Sequence, residues 1–430
     1  MSEAEHRRID STDRAESTER TQSPDRMGAT GRTTDATAPS ESADRTGATD
    51  RTDASDRTEP KDRMEPTGAP HPSTDPASLD SGRAGAAATD SPSAERYPSD
   101  SHPTAGVAID PATLPAIGDV RAAAARLKGV AERTRLFRSE GLSSATGVAV
   151  YIKDEGLQRS GSFKLRGGYN AVALLSDDER GRGVVTASAG NHGLGVAIAS
   201  RLLGVKATIY VPAAAPKIKR DRIAAEGAEL HLVNGTYDDA HAEAEREALR
   251  SGRLFVHAFS DPRVVAGAGT VGLEIVEDLP DVRTVIVPVG GGGLIGGVGT
   301  AVKAMAPGAT VIGVQSEETS AMHASLLAGH AVLPPMGETL CDGLSGEIDE
   351  RSLALAQRVV DRMVLVSEAA VARAMRWLHV EHAIAVEGSG AVAVAAVLEG
   401  ALGTVDGPAA VIVSGSNVDA ARLEAVLAAG

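Results

Sequence analysis

Aromatic residues are scarce in this 430-residue chain: Phe, Trp and Tyr together make up 2% of it. So few rings argue against a stacking platform for nucleic-acid bases. Cysteine is nearly missing as well. Cys341 alone excludes an intrachain disulfide and any cysteine-cluster metal site, and with no matching Cys–His pair it reads as a small core residue. Positive charge is in deficit, with 43 Lys+Arg against 58 Asp+Glu and a formal net charge of −15. Binding to nucleic acid needs a basic footprint, which this balance does not supply. No apolar run approaches the roughly 18 residues of a membrane span. Arg7-Arg8 is not followed by an apolar stretch, so neither a secretory nor a twin-arginine leader is expected. These absences leave a cytoplasmic enzyme with no nucleic-acid and no membrane partner as the expectation.

Branched aliphatics are missing from one region in particular. The first 100 residues contain no Val, Phe or Trp, and only Ile9 and Leu79 are branched aliphatics. Asp-Arg recurs there every six residues, at Asp44-Arg45, Asp50-Arg51, Asp56-Arg57 and Asp62-Arg63. Such a segment has too little apolar surface to offset its ordering entropy, so residues 1–105 are expected to be a disordered low-complexity tail. From about Ile117 short β-branched runs alternate with Ala-rich helical stretches. Strands are expected at Val148–Lys153, Val184–Ala187, Thr208–Val211, Leu230–Val233, Leu254–His257, Thr284–Val289, Val311–Val314, Met363–Val366 and Ala410–Val413. Helical patterns lie between most of them, among them Leu194–Leu203, Asp238–Leu249, Val264–Glu277 and Leu294–Met305. This alternation predicts an α/β fold with mostly parallel sheets covered by helices on both faces. Ligands in such folds bind at the carboxyl ends of strands.

Four motifs fall at those ends. The first, Gly161-Ser162-Phe163-Lys164, opens a helix near Lys164. A lysine sits badly at the positive end of a helix dipole. A nearby anionic ligand, or loss of its charge, would remove the conflict; a surface lysine is the alternative. The chain has only eight lysines against 35 arginines. The second motif is Ser188-Ala189-Gly190-Asn191-His192-Gly193, before a helix whose free N–H groups suit a carboxylate. An ordinary cap through Ser188 or Asn191 is the alternative. The third is Gly290-Gly291-Gly292-Gly293-Leu294, whose row of N–H groups makes a phosphate cradle. Gly291, Gly293 and Gly296 also satisfy the weak dinucleotide fingerprint, which would suit a nicotinamide-dependent dehydrogenase. The fourth is Ser414-Gly415-Ser416-Asn417, after the last apolar strand, where a capping turn is the alternative.

Together and in this order, the four motifs resemble the fold type II pyridoxal-phosphate enzymes. The nearer likeness is to the serine/threonine dehydratase (threonine ammonia-lyase) branch, to which serine racemase is related. The resemblance spans roughly Gly118 to Leu423. It implies a tryptophan-synthase-beta-like architecture of two domains: a large cofactor-binding domain from 106–182 and 261–430, and a small domain, 183–260, inserted into it. It implies pyridoxal 5′-phosphate as cofactor, joined to Lys164, which also takes the substrate α-proton. Phe163 would pack beside the ring. Ser188, Asn191 and His192 would hold the substrate carboxylate, with Asn191 also reaching the cofactor's 3′-oxygen. Gly290, Gly291, Gly292, Gly293 and Leu294 would hold the phosphate, and Ser414 the pyridine nitrogen. Asp342 matches a residue near the substrate β-hydroxyl; a turn aspartate before glycine is the alternative. Glu387 lies in a stretch that lines the cofactor side or caps the following helix.

The chain departs from the family in several places. Racemases carry a second serine in the carboxylate loop where this chain has Ala189, which favours elimination over racemisation. A Thr-Pro pair is replaced by Thr134-Arg135. The acidic positions of the racemase divalent-metal site are Gln315 and Ala321, so no metal site is expected. The allosteric C-terminal domain of biosynthetic threonine deaminases has no counterpart before Gly430, so isoleucine feedback is not expected. The resulting expectation is a lyase that converts L-threonine or L-serine to a 2-oxo acid and ammonia by β-elimination. It would act on a small amino-acid substrate as a homo-oligomer, dimer or tetramer. The alternatives are a 3-hydroxyaspartate or hydroxyectoine-pathway dehydratase, a serine racemase, or the dehydrogenase.

Overall fold

The computed structural model describes Asp110 and residues 113–429. The expected tail, residues 1–105, lies outside the described residues. Ten strands occur among the described residues: β1 Leu136–Arg138, β2 Val150–Asp154, β3 Val184–Ala187, β4 Ala207–Pro212, β5 Glu229–Val233, β6 Leu254–Phe255, β7 Thr284–Pro288, β8 Thr310–Ser316, β9 Arg362–Val366 and β10 Ala409–Val413. They form two sheets, one of order β1-β2-β10-β7-β8-β9 and one of order β5-β4-β3-β6. Every pairing is parallel except β1 with β2. The central strands are apolar on both faces, as doubly covered parallel sheets require: β3, β7 and β10 are buried throughout.

One face of the six-stranded sheet is covered by the helix Gly388–Leu398, whose residues 388–397 are all buried. On the other face lie the helices Pro262–Asp278 and Gly293–Met305. They approach through glycine: a Cβ on Gly272 would stand 2.7 Å from the Val298 carbonyl. The same device fixes the helix Lys164–Ala173. A Cβ on Gly195, in the helix Asn191–Leu203, would come within 3.0 Å of the Lys164 backbone, and one on Gly167 within 2.7 Å of the Val264 carbonyl. Lys164 therefore starts a helix that is wedged between two others and cannot slide.

That helix is also tied by charge. Arg166 (1% exposed) pairs with Glu155 (0%) at 2.8 Å and with Glu274 at 2.6 Å. Lys153, fully buried, pairs with Glu274 at 2.6 Å and donates to the Thr134 carbonyl at 2.7 Å. Thr134 in turn donates to Glu155 at 2.6 Å. Two cations and two anions thus neutralise one another inside the protein. Burial alone would push the Glu155 carboxyl up, but Arg166 and the Thr134 hydroxyl outweigh it and hold it below its ordinary value.

Gln315, at the position where the racemase pattern has an acid, spends its amide locally. Its Nε2 donates to the Thr319 carbonyl at 2.6 Å, and its Oε1 accepts from His323 N at 2.8 Å.

Candidate active site

Three strand ends and the start of one helix supply the site. Lys164 is the first residue of its helix, preceded by Phe163, which makes no side-chain cap. Its Nζ donates to the Ala258 carbonyl at 3.1 Å and lies 5.2 Å from the centre of the Phe163 ring. Burial lowers the amine from the ordinary lysine value to about 8, and the nearby Glu387 opposes that shift only in part. The depressed value means that the neutral, nucleophilic amine is populated near physiological pH, as a carbonyl-binding lysine requires. Uptake of an aldehyde cofactor by the cofactor-free protein should accelerate with rising pH and level off above about 8. Stopped-flow absorbance checks this; a rate that keeps climbing towards the ordinary lysine range would show that burial does not tune Lys164.

Beyond β7 the chain runs through Gly290–Gly293 into the helix Gly293–Met305, whose N-terminus has no side-chain cap. Gly292 takes φ +93°, which strongly favours glycine. Side chains would not fit here: a Cβ would meet the Leu344 backbone at Gly290, the Phe259 ring at Gly291, the Met322 methyl at Gly292 and the Phe259 backbone at Gly293. Bare backbone N–H groups and a positive helix end are what a phosphate monoester needs. Leu294 is buried below the loop.

After β3, the residues of the carboxylate loop do not serve as side-chain caps. Gly190 is the N-cap of the next helix and contributes no side chain. Ser188 Oγ accepts from Gly190 N at 3.1 Å. His192 is buried, and its Nε2 lies 2.9 Å from the Val256 carbonyl, so Nε2 carries the ring proton. Its Nδ1 is buried without a partner. Burial first, then Lys164, lower the imidazole to about 3, so His192 stays neutral and is no proton donor to a leaving group.

Asn191 turns toward the other sheet. Its Oδ1 accepts from Asn417 Nδ2 at 2.6 Å, and its Nδ2 donates to Glu387 Oε1 at 2.7 Å. Asn417 Nδ2 also donates to the Ser160 carbonyl at 2.8 Å. Ser414 is buried after β10; its carbonyl accepts from Phe163 N at 3.2 Å and its hydroxyl donates to the Ser389 carbonyl at 3.3 Å. The structure thus brings together the second and fourth motifs through the Asn191–Asn417 bond, and the first and fourth through Phe163 and Ser414.

Asp342 is placed differently. Its carboxylate accepts from Lys219 Nζ at 3.0 Å, stands 3.8 Å from Arg422, and is 45% exposed. Among the described residues, its one side-chain hydrogen bond comes from Lys219, and Arg422 is an ion-pair neighbour; neither contact involves Lys164. Cys341 is fully buried, and burial raises its thiol, in keeping with a core residue.

Residues 127–415 match the family model for pyridoxal-phosphate dependent enzymes. The chain belongs to that family. It is 45% identical over 313 residues to an L-threonine ammonia-lyase of Thermotoga maritima, a match covering 73% of this chain and 78% of the relative. Among solved structures it is similar to the processed form of threonine deaminase isoform 2 from Solanum lycopersicum, at a TM-score of 0.69 and 35% identity, covering 77% of this chain and 98% of that one. It is also similar to maize serine racemase, with a TM-score of 0.69 and 30% identity over 73% of this chain and 97% of that one. The cofactor of this enzyme is pyridoxal 5′-phosphate, and the residues present suit it. A desolvated lysine, a glycine cradle that any Cβ would obstruct, and the unpartnered buried atoms Ser162 Oγ and His192 Nδ1 supply an amine, a phosphate site and spare polar groups.

Three residues were not singled out by the motifs, or were left open. Glu387 precedes its helix but makes no side-chain cap; it reaches Asn191, 196 positions away in sequence. Asn417 is the last residue of the fourth motif and had no role assigned. Lys219 carried no sequence signal beyond being one of eight lysines.

Proposed function

We propose that this enzyme is a threonine ammonia-lyase, converting L-threonine to a 2-oxo acid and ammonia, with L-serine as a second substrate. The observation that carries the reading is Lys164: a desolvated amine at a helix start, between a phosphate-type glycine loop and a carboxylate-type loop. The identity to an L-threonine ammonia-lyase supports the choice of substrate. Bound pyridoxal phosphate supplies the electron-withdrawing ring that makes the substrate Cα–H acidic. The chain does the rest. The N–H groups of Gly290–Gly293 and Leu294 hold the phosphate. The backbone N–H groups of the Ser188–His192 loop, at the free start of the helix Asn191–Leu203, would hold the substrate carboxylate, with Ser188 and Asn191 adding their side chains, and Phe163 would flank the ring. Ser414, whose hydroxyl points to the Ser389 carbonyl at 3.3 Å, would turn it to the pyridine nitrogen; a neutral hydroxyl there would weaken the electron sink and suit prompt loss of the β-hydroxyl. Lys164 removes the α-proton as general base. Water leaves across Cα–Cβ and is taken up again when the released product hydrolyses, so the balance is one amino acid to one oxo acid and one ammonia. Asp342, whose carboxylate is held by Lys219 and Arg422, is the candidate group for the β-hydroxyl in this reading.

Racemisation needs a proton donor opposite Lys164, and Ala189 provides none. The same reading has the enzyme act in the cytoplasm as a homo-oligomer, dimer or tetramer. Oxo-acid release from a panel of L- and D-β-hydroxy amino acids tests the reading, with D-serine measured alongside pyruvate. L-threonine should be the best substrate, and pyruvate should exceed D-serine. A preference for 3-hydroxyaspartate, or an excess of D-serine, would sink it.

A further inference from the structure

Glu387 occupies an N-cap position, where a carboxylate would gain from the helix dipole, yet its side chain caps nothing. It is 9% exposed and crosses to Asn191. Gly415 makes the crossing possible, because a Cβ there would collide with Glu387 Oε1.

The amide directions on this path are fixed. Asn417 Nδ2 is committed as a donor by the Ser160 carbonyl. Asn191 must therefore present Oδ1 to Asn417, and its Nδ2 must face Glu387. Glu387 Oε1 is then the acceptor, and no hydrogen bond engages Oε2 among the described residues. No lysine or arginine of the described residues lies within ion-pair distance of it. Lys164, from the helix Lys164–Ala173, and Lys219, from the helix Lys217–Ala225, face it only at longer range, and Asp342 adds a like charge. Burying a carboxylate without a paired cation is the larger effect, and it outweighs the helix end.

We propose that Glu387 is a positioning residue that works as an uncharged acid: Oε1 holds the Asn191 amide in one orientation, while the proton on Oε2 keeps negative charge away from the cofactor side of the cleft. This rests on the pyridoxal-phosphate reading of the site. The geometry agrees with the titration: burial first, then Asp342, raises the carboxyl to about 7 against the opposing effects of Asn191, Lys219 and Lys164. Because the folded value is raised, the proton is held below about 7 and lost above it. An anion then appears beside Asn191, within longer electrostatic range of Lys164, and catalytic efficiency should fall.

The test compares the loaded wild-type enzyme with Glu387→Gln and Glu387→Ala, by kcat/KM and by the visible spectrum against pH without substrate. kcat/KM reports the free enzyme, in which Lys164 is engaged by the cofactor. Wild type should show a one-proton fall in kcat/KM and a spectral change, both centred near 7. Glu387→Gln keeps an acceptor toward Asn191 and a donor at the Oε2 position. It should hold the acid-side efficiency within about threefold and lose both pH transitions, whereas Glu387→Ala should retain cofactor about tenfold more weakly. A glutamine variant with the wild-type alkaline fall, or a wild-type spectrum flat through this range, would overturn the proposal. If no β-hydroxy amino acid turns over, the functional reading fails, but the spectral titration still decides the role of Glu387.

Discussion

Lys164→Ala should lose turnover and the visible absorbance of lysine-bound cofactor together. In the proposed reading one atom, Nζ, serves both as attachment point and as base, so a single truncation removes both. Positioned proton transfer alone is worth ~10²–10⁴-fold, and the attachment adds to it, so residual oxo-acid formation should lie at or below about 10⁻⁴ of wild type. Lys153, which is fully buried, cannot take over, because Glu274 and the Thr134 carbonyl hold its amine. The check is a spectrum of the purified variant loaded with cofactor, beside a discontinuous oxo-acid assay. A variant that keeps the band would mean that a different lysine carries the cofactor.

Arg166→Met should cost about 3–5 kcal/mol of unfolding free energy while nearly conserving volume. Removing the guanidinium leaves Glu155 fully buried with no ion-pair partner among the described residues, and Glu274, 12% exposed, paired only with Lys153. The acid side of the stability profile supplies a second signature. Glu155 is held below its ordinary value of 4.5, so its contribution is present above that pH and is lost as pH falls through the folded value. Wild type should lose stability on acidification, and Arg166→Met should lose less. Urea unfolding at several pH values measures both. A loss under about 1 kcal/mol would place the cluster with ordinary surface pairs.

Much of the fold was legible because parallel central strands are apolar on both faces. The runs Thr284–Val289, Val311–Val314 and Ala410–Val413 could hardly be anything else. β1 was missed for the opposite reason. Leu136-Phe137-Arg138 is three residues long, ends on an exposed arginine and pairs antiparallel at an edge, so no period shows. The expected strand Leu254–His257 is paired only over Leu254–Phe255. His257 instead turns its Nδ1 toward the backbone N–H groups of Phe259 and Ser260. At the site, the glycine loop and the lysine box were readable because each is a local strand-to-helix junction. Glu387, Asn417 and Lys219 were not, since each gains its meaning from a partner more than 120 positions away. Local pattern is silent about such pairs, and Asp342 shows the converse. Its motif was visible, while its two cationic neighbours were not.

β10 sits between β2 and β7 although it is the last strand in the described chain. A ribosome delivers the chain N-terminus first, so β2 and β7 must wait as open, apolar edges until Val413 has emerged. Ser414 and Asn417 follow immediately, which means the same stretch closes the sheet and ties down Phe163 and Asn191. Newly made molecules therefore pass from bare-edged and cofactor-free to closed and loadable within one short burst of translation. Messages cut short before codon 409 should yield no weakly active enzyme, only clients for chaperones and proteases.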